Sequence, residues 1–276
     1  MLETDVEAAH AIAMATFDDL AARHGQPPHP HPDPEMAHIR LRHLIRTDPD
    51  GSWVSEDEQG IAGVAVAIRR EGIWGLSLLV VRPDQQSSGL GRALLRRTDE
   101  YAAGARGRII TSSPDSRALR AYARLGLALH PSLDGNGVPR GMRRPDGIRE
   151  GGHEDLPLTE EVDRYVRGAA HGDDIRAQLE MGQTLLVAPG RGYAVTGDGD
   201  LRLLAAFDFD SACDLLRAAL AHAGDRKANV SWITSSQQWA LRVCLEAGLE
   251  LTVAGAVCLD GDVGTFTPYL PSGAFL

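Results

Sequence analysis

Five residues near position 110, Ile109-Ile110-Thr111-Ser112-Ser113, meet Trp232-Ile233-Thr234-Ser235-Ser236 near position 232, four of the five identical. The match continues behind them. Ala118-Leu119-Arg120 repeats as Ala240-Leu241-Arg242, Gly126-Leu127 as Gly248-Leu249, and Leu129 as Leu251. Upstream, Ala93-Leu94-Leu95-Arg96 agrees loosely with Asp214-Leu215-Leu216-Arg217. Chance can give a five-residue match, but not one in register with the helix behind it and the same elements before it. The expectation is an α+β chain made of two copies of one module, over 1–150 and 151–276. Each copy is a mixed, mostly antiparallel twisted sheet flanked by helices, and the boundary falls near Gly151-Gly152.

A chain of 276 residues is long enough for two such modules, and its 43% hydrophobic content supports a real core. No run approaches the roughly 20 apolar residues that span a bilayer. Met1-Leu2-Glu3-Thr4-Asp5 lacks the basic-then-apolar pattern of a secretory signal, so the expected location is cytoplasmic. A net charge of −10 disfavours nucleic acid and anionic membrane as partners, and is compatible with cationic substrates such as amines. Cys213, Cys244 and Cys258 form no Cys-x-x-Cys pair and read as buried free thiols.

Along the first half, helical periodicity covers Asp5 to His24 through Val6, Ala9, Ala13, Phe17 and Leu20, and again Glu35 to Arg46 through Ile39, Leu44 and Ile45. The alternating prolines of 26–34 exclude helix or central strand. Strands are expected at Trp53-Val54, Gly60–Ile68 and Ile73–Val81, with Glu71-Gly72 as a tight turn. Helix follows to about Ala103, then a strand at Ile109–Ser112. Ser113-Pro114 supplies a cap and a first-turn proline for a helix to about Leu125. From Asp134 to Gly152 the chain reads as a long loop and linker. The second half offers helix near Glu160–Gly168, strands at Thr184–Val187, Gly192–Thr196 and Leu201–Phe207, and helix at Ser211–Ala223.

The segment Val81-Arg82-Pro83-Asp84-Gln85-Gln86-Ser87-Ser88-Gly89-Leu90-Gly91-Arg92 leaves an apolar strand and enters an amphipathic helix. A helix N-terminus offers unpaired amide donors and partial positive charge, which suits a phosphate. Gly89 and Gly91 let main chain approach such a ligand without a Cβ, and Arg92 could add a side-chain contact. A dinucleotide fingerprint needs a third glycine, but Leu94 stands there. A nucleotide P-loop needs Gly-Lys-Ser/Thr, and the only lysine is Lys227.

Gln86-Ser87-Ser88-Gly89-Leu90-Gly91 resembles motif A of the GNAT superfamily of acyl-CoA N-acyltransferases, Gln/Arg-x-x-Gly-x-Gly/Ala. Downstream, Asp115-x-x-Ala118-x-x-x-Tyr122-x-x-x-Gly126-Leu127 is similar to the family's Asn-x-x-Ala-x-x-x-Tyr-x-x-x-Gly-Phe. The resemblance runs from about 1 to 130 and implies a GNAT fold, with acetyl-CoA as cosubstrate and no metal. It implies that the main chain of Leu79, Val80 and Val81 pairs with the pantetheine arm. Gln86, Ser87, Ser88, Gly89, Leu90, Gly91 and Arg92 would hold the pyrophosphate, with Ser113 and Asp115 also on the cofactor side. Tyr122 would give a proton to the departing CoA thiolate; packing on the sheet is its structural alternative. Asp115 departs from the usual Asn. No carboxylate occurs on Ile73–Val81, where some relatives carry a general base; Gly75 and Ser77 are there instead. Ordered water, His130, His43 or a residue of the other half remain open as base.

In the second copy, Leu201–Phe207 leads into Asp208-Phe209-Asp210-Ser211-Ala212-Cys213, without glycine and with two carboxylates, which repel a pyrophosphate. Cys244 stands where Tyr122 stands in the first copy. The second copy is expected to be a non-catalytic partner domain. His29, His31, His38 and His43 lack the partners of a metal site; the His/Pro segment reads better as a loop bordering the acceptor. Arg140, Arg143, Arg144 and Arg149 read as a solvated basic loop, with a contact to the CoA 3′-phosphate or an acidic acceptor as the alternative, and Arg167, His171 and Asp173-Asp174 as a polar helix end. The expected function is transfer of an acetyl or short acyl group to a primary amine, in a small molecule or a protein, with a homodimer allowed. An acyl-CoA sensor or scaffold without turnover is the alternative.

Overall fold

The computed structural model describes residues 1–25 and 33–276. The His/Pro loop, with His29 and His31, lies largely outside them. The chain gathers into two compact units, Met1–Arg69 with Trp74–Ala105, and Arg70–Ile73 with Arg106–Leu276.

The first unit contains helices α1 (Val6–Arg23) and α2 (Pro34–Thr47), strands β1 (Ser52–Asp57), β2 (Gly60–Arg70) and β3 (Ile73–Val81), and helix α3 (Leu90–Tyr101). β1 pairs antiparallel with β2, Trp53 opposite Ala65. β2 is buried on both faces, as its uninterrupted apolar run predicts. In α1 the buried residues are Val6, Ala9, His10 and Ala13, whereas Phe17 and Leu20 are only half-buried. Asp33 caps α2 by accepting from the Glu35 N–H at 2.9 Å, with Pro34 as the first helical residue. Asp48, fully buried, accepts from the Arg69 N–H at 2.8 Å and the Tyr101 hydroxyl at 3.0 Å, tying the turn after α2 to β2 and α3.

The second unit contains β4 (Gly107–Ser112), α4 (Ser116–Arg124), β5 (Ala128–Gly137), β6 (Arg149–Glu150), α5 (Leu156–Val166), α6 (Asp173–Glu180), β7 (Thr184–Ala188), β8 (Gly192–Gly197), β9 (Asp200–Ala206), α7 (Phe209–Ala223), β10 (Ala228–Thr234), α8 (Gln238–Glu246), β11 (Glu250–Gly261) and β12 (Tyr269–Leu270). One group of strands runs β4-β11-β5-β10 and the other β12-β9-β8-β7-β6. β4 and β5 do not pair with each other. β11 lies between them, antiparallel to both, with Cys258 opposite Ile110 on one side and Leu129 on the other. β5 in turn lies between β11 and β10, Val230 opposite Gly135. A strand from each half thus completes the sheet of the other, which is why residues 106–150 cluster with the second half.

Three local expectations change. Asp115, not Ser113, caps α4, because its carboxylate reaches the Arg117 N–H at 2.8 Å while its own backbone stays extended. The stretch read as a loop from Asp134 begins as strand, since β5 runs to Gly137 between two partners that local periodicity does not reveal. The polar residues at 167–174 do stand at helix ends, Arg167 as the C-cap of α5 and Asp173 as the first residue of α6, but all of them except exposed Asp173 are interior. Asp174 is fully buried and bridges Arg70 at 2.7 Å, and Asp163 accepts from the Tyr193 hydroxyl and the His171 main chain, with His171 Nδ1 2.8 Å away. Burial of these charges requires their partners, and those come from β2 and β8, far away in sequence. Cys244 and Cys258 are buried as expected, whereas Cys213 is half-buried.

Gly255 sits on the bulge of β11 against Ser112, where a Cβ would stand 1.7 Å from the Ser112 carbonyl oxygen. That atom is backbone and cannot rotate away. Gly255→Ala is expected to destabilise the chain by about 3 kcal/mol, read as a lower midpoint in urea unfolding; Ala254→Gly on the same bulge should cost far less.

Candidate active site

β3 ends at Val81, and the turn that follows is built to hold its shape. Arg82 donates from its main chain to Ala62 O at 2.8 Å, and its guanidinium grips Asp57 and Asp84 at 2.6 and 2.7 Å. Those hydrogen bonds hold both carboxyls below their usual range. The Gln86 side-chain amide turns back to donate to Val81 O at 3.2 Å and to Asp19 of α1 at 3.4 Å. Thr16 of α1 donates to the same Val81 oxygen at 3.2 Å. Both lone pairs of that carbonyl are therefore used within the unit, so any ligand pairing at Val81 falls to its N–H.

Ser87 has φ 67° and Gly89 φ 97°, two left-handed residues in three positions. For Ser87 this conformation carries a cost, which marks the turn as constrained. Gly89 is the N-cap of α3 and, having no side chain, cannot cap it. Among the described residues, the main-chain N–H groups of Ser87, Ser88, Gly89, Gly91 and Arg92 have no hydrogen-bond acceptor, and Leu90 N–H has only the Ser88 hydroxyl at 3.4 Å. Four orphan donors are inherent to any helix start, and here they are left for an external anion. Gly91 adds room, since a Cβ there would meet only the Val81 side chain at 3.5 Å.

The start of α7 is closed where that of α3 is open. Asp208 caps α7, accepting from the Ser211 N–H at 2.7 Å and the Ser211 hydroxyl at 2.8 Å. A carboxylate fills the place where an anion would bind.

Ser113, Asp115 and Tyr122 lie in the second unit. Ser113 O accepts from the Ser112 hydroxyl at 2.9 Å, and Gly255 packs on this peptide. The Asp115 carboxylate is engaged by the Arg117 main chain and guanidinium, so its observed work is capping α4. Tyr122 is 5% exposed. Its hydroxyl makes no hydrogen bond to a described residue. Burial, then the potentials of Cys258 and Asp115, raise its pKa well above the ordinary 10. Cys258 is itself pushed up to about 12 by burial, so both groups are protonated near neutrality. Cys258 comes from β11, the exchanged strand; no local signal in the sequence announces that position, or Gly255, as a neighbour of the Tyr122 region.

Of the candidate bases, His43 is buried in α2 and His130 is exposed on β5. The Ser77 hydroxyl on β3 is buried and lacks a hydrogen-bond partner. Arg149 and Arg144 of the basic cluster pair with Asp155 and Glu150, at 2.6 and 3.8 Å. Among the described residues no group of three or more His, Cys, Asp or Glu is placed to hold a metal ion, and no helix is long and apolar enough to cross a membrane.

The model of the acetyltransferase (GNAT) family matches residues 14–127. No curated protein matches the chain. Among solved structures, one from Pyrococcus horikoshii, described as that of an acetyltransferase, superposes with a TM-score of 0.82 at 16% identity, covering 99% of this chain and 93% of its own. A GCN5-related N-acetyltransferase from Sphaerobacter thermophilus gives 0.57 at 16% identity, covering 95% and 94%. A tandem GNAT protein from the clavulanic acid biosynthesis pathway gives 0.56 at 13% identity, covering 94% and 95%. Residues 14–127 thus carry the acetyltransferase domain of the GNAT family, in a chain whose mixed, mostly antiparallel fold is that of GNAT acetyltransferases, a tandem GNAT protein among them.

Proposed function

We propose that this chain transfers an acetyl or short acyl group from acyl-CoA to a primary amine, in a small molecule or a protein, by direct attack in a ternary complex. The observation that carries the reading is the uncapped start of α3, with its free amides and left-handed Ser87 and Gly89, inside the segment that matches the family. In this reading the amides from Ser87 to Arg92 hold the pyrophosphate, with Gln86 bracing their turn, and main-chain groups of Leu79 to Val81 pair with the pantetheine arm. Ser113 contributes from its main chain on the cofactor side, and Asp115 acts by fixing the start of α4.

The chemistry balances simply. The amine nitrogen attacks the thioester carbonyl, the C–N bond forms and the C–S bond breaks. The sulfur leaves with the bonding pair and takes the Tyr122 proton, while the amine releases its own to water. A thiolate expelled into a dry site needs such a donor, a service worth about 10²–10⁴-fold. Tyr122 suits it because it is protonated, unpartnered and shielded. On β3 the unpaired Ser77 hydroxyl is a fitting anchor for the water that receives the amine proton.

The two-copy reading, 1–150 and 151–276, belongs to the same proposal, with the second copy non-catalytic and the whole a cytoplasmic protein free of nucleic acid and membrane, monomer or homodimer. An acyl-CoA sensor without turnover is the second reading, favoured by the absence of a carboxylate on β3.

Tyr122→Phe is expected to lower kcat at least about 100-fold with acetyl-CoA affinity within twofold, followed by thiol release against an amine panel; an unchanged kcat removes the acid role. Since burial raises the Tyr122 pKa, the phenol stays protonated past pH 10 and is lost only higher. The kcat profile should therefore show no alkaline fall centred at 10, and a fall there assigns the proton to a solvated group. Gly89→Ala meets no atom within 4 Å but forces a Cβ onto φ +97°. It is expected to weaken acetyl-CoA binding about tenfold by calorimetry with little change in melting temperature.

A further inference from the structure

In the first copy, the proposed acyl-CoA arm pairs with main chain at the C-terminal end of β3. By the repeat, the matching edge in the second copy is the end of β9, residues Leu204 to Ala206, just before α7. That edge is taken. β8 lies on one side of β9, and β12 lies on the other, with Tyr269 opposite Ala205 and Leu270 opposite Leu204. Ala206 N–H donates to Pro268 O at 3.3 Å, extending the contact by one residue.

A strand of two residues has little hold of its own, so what fixes it is informative. Gln237 stands where Asp115 stands in the first copy, at the N-cap of the helix after the fourth strand, on the offset that pairs Ala118 with Ala240. Asp115 caps α4, but Gln237 makes no side-chain cap on α8. Its amide instead donates to Phe266 O at 2.7 Å and accepts from the Thr267 hydroxyl at 3.2 Å, while Trp239 Nε1 donates to the same Gln237 oxygen at 2.9 Å. The cap position has been turned over from its own helix to an extended segment. Phe266 packs edge-on against Tyr269, ring centroids 4.8 Å apart, and Tyr269, Leu270 and Leu276 are buried. At the far end the Leu276 oxygen lies 2.9 Å from His171 Nε2, whose other nitrogen faces buried Asp163 at 2.8 Å.

We propose that segment Phe266–Leu270 is the permanent occupant of the second copy's cofactor cleft: its main chain pairs where a pantetheine arm would, so the chain takes one acyl-CoA, in the first copy alone. The proposal rests on the two-copy reading and deepens it. The second copy is then closed in two independent ways, by the Asp208 carboxylate at the helix start and by a strand in the arm position. An incoming arm would have to extract buried Tyr269 and Leu270 and break every one of these bonds, with no phosphate loop to offset the loss.

The test combines calorimetry with hydrogen exchange on the full chain, using acetyl-CoA as probe. The expected results are a stoichiometry of one, slow exchange at 204–206 and 269–270 both with and without acetyl-CoA, and slowing at 86–92 only when it is added. A stoichiometry of two, fast exchange at 269–270 in the free chain, or a change there on adding acetyl-CoA, overturns the proposal. No binding at all, with 86–92 unaffected, sinks the first-copy reading instead, and the exchange at 269–270 still decides the occupancy. Gln237→Ala should speed exchange across 266–270 about tenfold while acetyl-CoA affinity stays within twofold; unchanged exchange removes Gln237 as the clamp.

Discussion

Backbone pairing between β4, β11, β5 and β10 is the constraint on which the rest of the second unit depends. Each strand's amides and carbonyls need a partner once water is excluded, and neither half supplies all of its own. β11 fills the gap between β4 and β5, and β5 fills the gap between β11 and β10. The exchange explains why Gly255 must be glycine, since the main chain of one half is pressed on the main chain of the other. It also explains why Cys258, far along the sequence, contributes to the electrostatic surroundings of Tyr122. β11 is thus required by β4 and β5 whatever else residues 151–276 do.

In the two-copy proposal, the copies differ most at one physical point, the start of the helix after the hairpin strands. α3 begins on a glycine with no cap and leaves its amides open, whereas α7 begins on Asp208, which satisfies them internally. Capping by a carboxylate contributes about 1 kcal/mol to a helix and at the same time places a negative charge where an anion would sit. The first copy forgoes that stabilisation and the second keeps it. Arg82, Gln86, Thr16 and Asp19 compensate in the first copy by bracing the turn from both sides.

Much of this was legible from residues alone. The strands around Gly60–Ile68 and Ile73–Val81 and the helix after Gly89 follow from periodicity and turn chemistry, which are local; the Gln86-to-Gly91 spacing with Tyr122 behind it was readable through its resemblance to a known family. What was hidden is what depends on contacts distant in sequence. Nothing in Asp134-Gly135-Asn136-Gly137 reads as strand until β11 and β10 flank it. Arg167, His171 and Asp174 read only as a polar helix end because Arg70, Tyr193 and Tyr269, which satisfy or surround them, are unrelated in sequence. The start of α4 was misplaced by two residues because Ser113-Pro114 and Asp115 both carry cap chemistry, and only geometry chooses between them.

The exchange of strands also sets a timetable. Ser112 pairs with Ala256, roughly 140 residues later in the chain, so β4 cannot gain this partner until β11 has left the ribosome. During synthesis β4 and β5 wait with unpaired edges, and an unpaired edge is an invitation to a neighbouring chain. The short, glycine-bearing end of β5 makes a poor template for such a partner. A fold assembled this way links distant segments through their order of birth: β11, made later, is what permits β4 and β5 to finish.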